Sequence, residues 1–269
     1  GSGSRLGDPL VSDPRVRKVT FTGSRDVGER ICKTAGLKKV TMELGSNSPV
    51  IVLDDADPEK VAATIAVTGF ANAGQVCISS QRILATPKIH DDLLDALTTN
   101  VSQLTAGDQL AEGTNVGPLV READARRVEE WLGQARAQGA QLLCGGDREG
   151  SVVQPAVLAN VNRDMRMSCD ELFGPAVGVT RADSIDDAIR LANDTRYGLS
   201  ASIFTQDIDK AIRFAREVDS GNLHINFGTA WRAETMPYGG LKDSGMGKEG
   251  PRYAVEEMTE TKMVVIHGK

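Results

Sequence analysis

Two side chains in this sequence carry the chemistry of covalent catalysis. Cys77 sits in Phe70-Ala71-Asn72-Ala73-Gly74-Gln75-Val76-Cys77, and Glu43 lies upstream in Met42-Glu43-Leu44-Gly45. A thiol is a nucleophile once ionised, and a carboxylate takes the proton either from that thiol or from the water that later releases product. A nearby small residue in each run leaves space for a substrate to approach. Neither residue type is specific alone: a cysteine is as often a small buried hydrophobe, and a carboxylate closing a strand is as often a solvated charge.

The elements that must position this pair are legible as periodicity. Short β-branched runs alternate with longer amphipathic stretches, a pattern that predicts an α/β architecture with mostly parallel strands. Residues 16–22 read as a strand, and Ser24 caps a helix reaching about Ala35. Strands follow at 39–44 and 49–53, so Glu43 closes one of them. Asp57-Pro58 starts a helix in which Val61, Ile65 and Thr68 share a face, with the proline in its first turn. A strand at 81–85, helices at 91–104 and 123–138, and strands at 152–158 and 176–180 come next. Two further strand and helix units cover 184–193 with 200–204 and 207–218 with 223–225. The glycine-rich stretch 238–250 reads as a loop, and 261–266 as an apolar strand with no evident partner in this chain.

Composition narrows the classes of function. A net charge of −6 without a dense basic block argues against nucleic-acid binding. No run of about 18 apolar residues predicts a membrane helix. Cys32, Cys77, Cys144 and Cys169 lie far apart with no C-x-x-C pair, and the three histidines form no ligand pattern, so the reading is reduced thiols, no metal and a cytoplasmic protein. Cys32, Cys144 and Cys169 are assigned to packing.

Five separated blocks carry a resemblance that covers most of the chain. They are Phe21-Thr22-Gly23-Ser24 with Gly28; Glu43-Leu44-Gly45; Gly74-Gln75-Val76-Cys77; Glu171-Leu172-Phe173-Gly174-Pro175; and Pro237-Tyr238-Gly239-Gly240-Leu241-Lys242 running into Ser244-Gly245. In this order they resemble the aldehyde dehydrogenase superfamily. The resemblance implies a three-layer catalytic domain joined to part of a Rossmann-like cofactor domain, with a C-terminal oligomerisation strand. Residues 1–44 would be the rear of the dinucleotide-binding domain, 45–244 the catalytic domain, and 245–269 the oligomerisation segment.

The resemblance also implies roles. Cys77 would attack a small aldehyde to give a thiohemiacetal and then a thioester, and Glu43 would act as general base. Cys77 should then be the one activated thiol of the four. Gly23 and Ser24 would face the pyrophosphate of NAD or NADP, with Gly28 allowing close approach. Glu171 would meet the nicotinamide ribose and Phe173 the nicotinamide ring. Asn226 would lie near the substrate tunnel, and Arg232 would hold a substrate anion, since a guanidinium matches a carboxylate or phosphate. The tail is similar to members acting on lactaldehyde, semialdehydes or phosphorylated aldehydes. Ser46 departs from the commonest pattern, in which a second glycine follows Gly45, and adds a side chain beside the expected nicotinamide.

A complete member is nearly twice as long, so the resemblance implies a fragment lacking the first half of the cofactor domain. That half would supply an oxyanion-hole Asn and a ribose-reading Lys. The full protein would be a homo-oligomer, a dimer or tetramer. Two alternatives stay open: a relative that passes the acyl group to coenzyme A, against which Glu43 argues, and a catalytically silent truncated subunit.

Overall fold

Along the Ser48–Val52 strand and the residue after it, Val50 and Val52 enter one apolar core while Ile51 and Leu53 enter another. In Ser80–Ala85, Ile83 and Ala85 join the first core and Leu84 the second. Successive strand residues face opposite sides of a sheet, so two apolar faces require cover on both. Helices Pro58–Thr68 and His90–Ser102 supply Val61, Ile65, Leu93 and Leu97 to one face. Ile185–Asn193 and Ile208–Glu217 supply Ile189, Leu191 and Phe214 to the other. This computed structural model, which describes residues 1–268, is therefore a three-layer α/β fold.

The central sheet has seven strands in the order Asn222–Ile225, Ser200–Phe204, Ser48–Val52, Ser80–Ala85, Ala176–Arg181, Ala156–Ala159 and Gln141–Cys144. All neighbours are parallel except the last pair. A smaller sheet joins Lys18–Thr22 and Lys39–Glu43 in parallel, with Gly245–Met246 antiparallel to the latter and Gly245 opposite Glu43. Buried Ser244 completes the join: its carbonyl accepts from Leu44 N–H at 3.0 Å and its hydroxyl donates to the Gly45 carbonyl at 2.7 Å.

Most predicted elements are present, with local differences that have physical causes. The Asp57 carboxylate caps Pro58–Thr68 by accepting from the Glu59 and Lys60 N–H groups. The expected strand at 152–158 is broken at Pro155, which has no N–H for a ladder. Val152–Val153 instead pairs with Arg148–Glu149, and Ala156–Ala159 joins the main sheet. Within the expected loop at 238–250 lie two short strands, Leu241–Lys242 and Gly245–Met246, and helices Gly3–Ser12 and Pro251–Met258 were not anticipated. Residues 261–266 form no strand; Met263, Val264, Val265 and Ile266 are exposed, because a strand needs a neighbour to satisfy its backbone and this chain offers that segment none. Among the described residues, no helix is long and apolar enough to cross a membrane.

The turn before Cys77 is a strained stretch of backbone. Asn72, Ala73 and Gly74 all adopt left-handed φ, at 51°, 56° and 69°. Such conformations cost of order 1–3 kcal/mol each for residues with a Cβ. The turn is held by Asn72 and Gln75, whose side-chain amides each donate to the other's carbonyl, and by the Val120 N–H donating to Gln75 Oε1. A Cβ on Gly74 would lie 2.1 Å from the Gly174 carbonyl oxygen. Gly74→Ala is expected to destabilise the chain by at least about 2 kcal/mol in urea denaturation; a midpoint equal to the parent's would show that the turn relaxes freely.

Candidate active site

The two sheets bring Cys77 and Glu43 into one buried site from opposite directions. Glu43 is the last residue of its strand, so it projects from the carboxyl edge of the small sheet. Cys77 leaves the left-handed turn just before Ser80–Ala85 and so lies at the amino edge of the large sheet. Tyr238 closes the gap: its hydroxyl is 3.5 Å from Cys77 Sγ, and its ring is buried with Ile78 and Leu199.

Electrostatics define the resting state. Glu43 is buried, and neither carboxylate oxygen has a hydrogen-bond partner. Burial, with the charge of Glu249 adding to it, pushes its pKa up to about 7, against opposing pulls from Lys248 and Arg232. Burial also pushes the Cys77 thiol up; the Tyr238 hydroxyl opposes this, while Glu171 and Glu43 reinforce it. The expectation of an activated thiol is thus corrected for the resting chain. Poor hydration, with two acidic neighbours adding to it, disfavours the Cys77 thiolate.

Glu171 and Phe173 flank this centre. The Glu171 carboxylate accepts from the Ser46 N–H at 2.9 Å, and burial pushes its pKa up. A Cβ on Gly45 would lie 2.6 Å from Glu171 Oε2, so the glycine leaves room for the carboxylate. Ser46 turns its hydroxyl onto Ser48 Oγ at 3.1 Å and is buried, so the extra side chain is accommodated by packing. Phe173 has a φ of 48° and stays 36% exposed, its ring available to a flat partner. Arg127 donates to the Leu172 carbonyl between them at 2.6 Å.

Gly23 and Ser24 form the strand-to-helix turn as predicted. Gly23 N–H donates to the Glu43 carbonyl at 3.0 Å, which ties this turn to the residue carrying the buried carboxylate. Ser24 caps Arg25–Ala35 in extended conformation without using its hydroxyl. Gly28 is needed for packing, since a Cβ there would lie 2.4 Å from Leu44 Cδ2. Beside it lies a cavity of about 240 Å³ lined by Arg25, Gly28, Cys32, Leu44 and Met246. A larger cavity of about 730 Å³ lies against Lys18, Lys39 and Met258 and includes neither Cys77 nor Glu43, so the reactive groups, not cavity size, define the site.

Arg232 lies over the Tyr238 ring at 4.5 Å and pairs with Glu249 at 2.9 Å, one ring away from the sulfur. Asn226 is a correction. It follows the carboxyl end of Asn222–Ile225, whereas Cys77 precedes the amino end of a strand in the same parallel sheet. Its amide is also committed to Thr205, accepting from the backbone N–H and donating to the carbonyl. Cys169 is exposed, not packed, with Sγ 2.7 Å from the Arg163 carbonyl. The sequence reading passed over Tyr238, Ser244, Lys248 and Glu249 as site residues. Tyr238 and Ser244 lay within a recognised block, but nothing local marked their partners, which are distant in sequence.

Comparison with known proteins decides the family. The profile of the aldehyde dehydrogenase family matches residues 1–264. The chain belongs to that family. It is 46% identical over 267 residues to a 3-sulfolactaldehyde dehydrogenase of Priestia aryabhattai, covering 99% of this chain and 56% of that protein. It is 39% identical to a lactaldehyde dehydrogenase of Methanococcus aeolicus, covering 100% and 58%. A glyceraldehyde-3-phosphate dehydrogenase from Methanocaldococcus jannaschii, solved with NADP, superimposes with a TM-score of 0.93 at 40% identity, covering 96% of this chain and 56% of that one. The chain therefore spans little more than half the length of the relatives it matches.

The buried Glu43 makes stability depend on pH. Its folded pKa of about 7 lies above its ordinary 4.5, so the folded state holds the proton more tightly, and stability is lost as pH rises through that window. Glu43→Gln is therefore expected to raise the urea midpoint at pH 8 and to raise it less at pH 5. Equal gains at both pH values would show that Glu43 ionises normally.

Proposed function

We propose that this chain carries the catalytic centre of an NAD(P)-dependent aldehyde dehydrogenase, which oxidises a small aldehyde to its acid through a Cys77 thiohemiacetal and thioester. The observation that carries the reading is a half-buried thiol sharing its site with a buried, partnerless carboxylate poised near neutral pH. The match of spacing and fold to dehydrogenases supports it.

Each step has a residue suited to it. Sγ attacks the aldehyde carbon, and its proton passes to Glu43, ionised above about pH 7, directly or through water. The Cys77 backbone N–H, which favours negative charge at this position, donates to the oxyanion formed there. Bound NAD(P) would supply the two-electron acceptor. Residues here fit its nicotinamide end: the Glu171 carboxylate for ribose hydroxyls, the exposed Phe173 ring for stacking, and Gly23 with Ser24 at a helix N-terminus for phosphate. Once Glu43 has released the thiol proton to solvent, it takes the proton of the water that hydrolyses the thioester. A base at this position favours water over coenzyme A as the acyl acceptor.

The names of the relatives point to a small functionalised aldehyde. Arg232 is the cation available to an anionic substituent, which would compete with Glu249 for it. Division at residues 44 and 244, a cytoplasmic setting and a homo-oligomer built through 261–266 complete the proposal.

Ester hydrolysis tests it with residues of this chain alone. With 4-nitrophenyl acetate, mass spectrometry should find the acetyl group on Cys77, and its release should accelerate as pH rises through about 7. Glu43→Gln should slow release by about 10²–10⁴-fold. Acetylation elsewhere, or release unaffected by the substitution, would refute the assignment.

A further inference from the structure

Glu43 is the buried carboxylate that, among the described residues, has no hydrogen-bond partner, so its ionisation depends on the charges that face it. Those are Glu249, Lys248 and Arg232 from the segment that closes the site, with the titratable Cys77 and Tyr238 on the sulfur side. Arg232 is engaged by Glu249 at 2.9 Å, and opposite charges so close largely cancel at a third group. Lys248 is different: no ion pair among the described residues includes it, and its Nζ donates to the Gly239 carbonyl at 2.8 Å.

Gly239 sits between that lysine and the carboxylate. A Cβ on Gly239 would lie 3.0 Å from Glu43 Oε1 and 3.1 Å from Lys248 Cδ. The lysine stem therefore passes the carboxylate with only the hydrogens of a glycine in between. Strand pairing fixes this juxtaposition, since Gly245 is opposite Glu43 and Lys248 follows three residues later.

We propose that Lys248 is a positioning residue that sets the pH at which Glu43 becomes a base, through an ammonium charge tethered to the Gly239 carbonyl. The proposal rests on the reading of Glu43 as general base and deepens it. A fixed cation favours the ionised carboxylate, and it acts more strongly where water is excluded. The coupling is mutual: burial pushes the Lys248 pKa down, and the Glu43 charge pushes it back up. Without the ammonium, Glu43 would hold its proton to higher pH and fail as a base near neutrality.

Carbon-13 NMR of the chain labelled at glutamate carboxyl carbons reads the Glu43 titration directly, with Glu43→Gln assigning the resonance. Lys248→Gln keeps a donor for the Gly239 carbonyl but removes the charge; Lys248→Arg keeps the charge. The parent midpoint near 7 should move up by about one pH unit in Lys248→Gln and stay near the parent value in Lys248→Arg. Lys248→Met, a second uncharged variant, should match Lys248→Gln. A midpoint unmoved in the uncharged variants, or moved equally in Lys248→Arg, overturns the proposal. The titration is independent of any aldehyde or ester chemistry, so it can fail while the proposed function stands, and the reverse.

Discussion

Glu43 carries both carboxylate oxygens into the interior without a hydrogen-bond partner, and an ionised carboxylate there gives up its hydration. The fold holds it in place from three sides. Its own strand pairs with Lys18–Thr22 and Gly245–Met246, and Ser244 binds the two residues that follow it. The Gly23 N–H takes its carbonyl. None of these contacts reaches the carboxylate. The backbone is over-determined while the side chain is left free, which is the arrangement a proton acceptor requires.

The sulfur is held in the same spirit. Three consecutive left-handed residues lie shortly before Cys77, and the strain is eased by the glycine at the third position and by the Asn72 and Gln75 side-chain hydrogen bonds. Gly74 packs against Gly174, so the turn that delivers the thiol also touches the loop carrying Glu171 and Phe173. A thiol, a buried carboxylate and two candidate cofactor contacts thereby share one small framework. Burial, reinforced by both nearby acids, pushes the sulfur toward its neutral form.

What was legible in the sequence followed from local chemistry. The parallel sheet showed as β-branched runs, the Asp57 cap as Asp-Pro, and the thiol and carboxylate of the candidate site as two motifs. What was not legible depended on contacts distant in sequence. Nothing near Lys248 reveals that it reaches Gly239, and nothing near Asn226 reveals that it lies at the opposite sheet edge from Cys77. The strand expected at 261–266 has the composition of a strand but no neighbour, and backbone pairing cannot be read from one run alone. Pro155 was visible, yet the apolar residues around it masked the break it imposes.

The central claim is that burial and acidic neighbours keep Cys77 protonated, with Glu43 one of those neighbours. The pH dependence of Cys77 alkylation by iodoacetamide, followed by peptide mass spectrometry in the parent chain and in Glu43→Gln, tests it most directly. The account predicts that Cys77 ionises above the ordinary thiol range in the parent, and that removing the Glu43 charge moves the midpoint down. A parent midpoint below the ordinary range, or one that Glu43→Gln leaves in place, would contradict it.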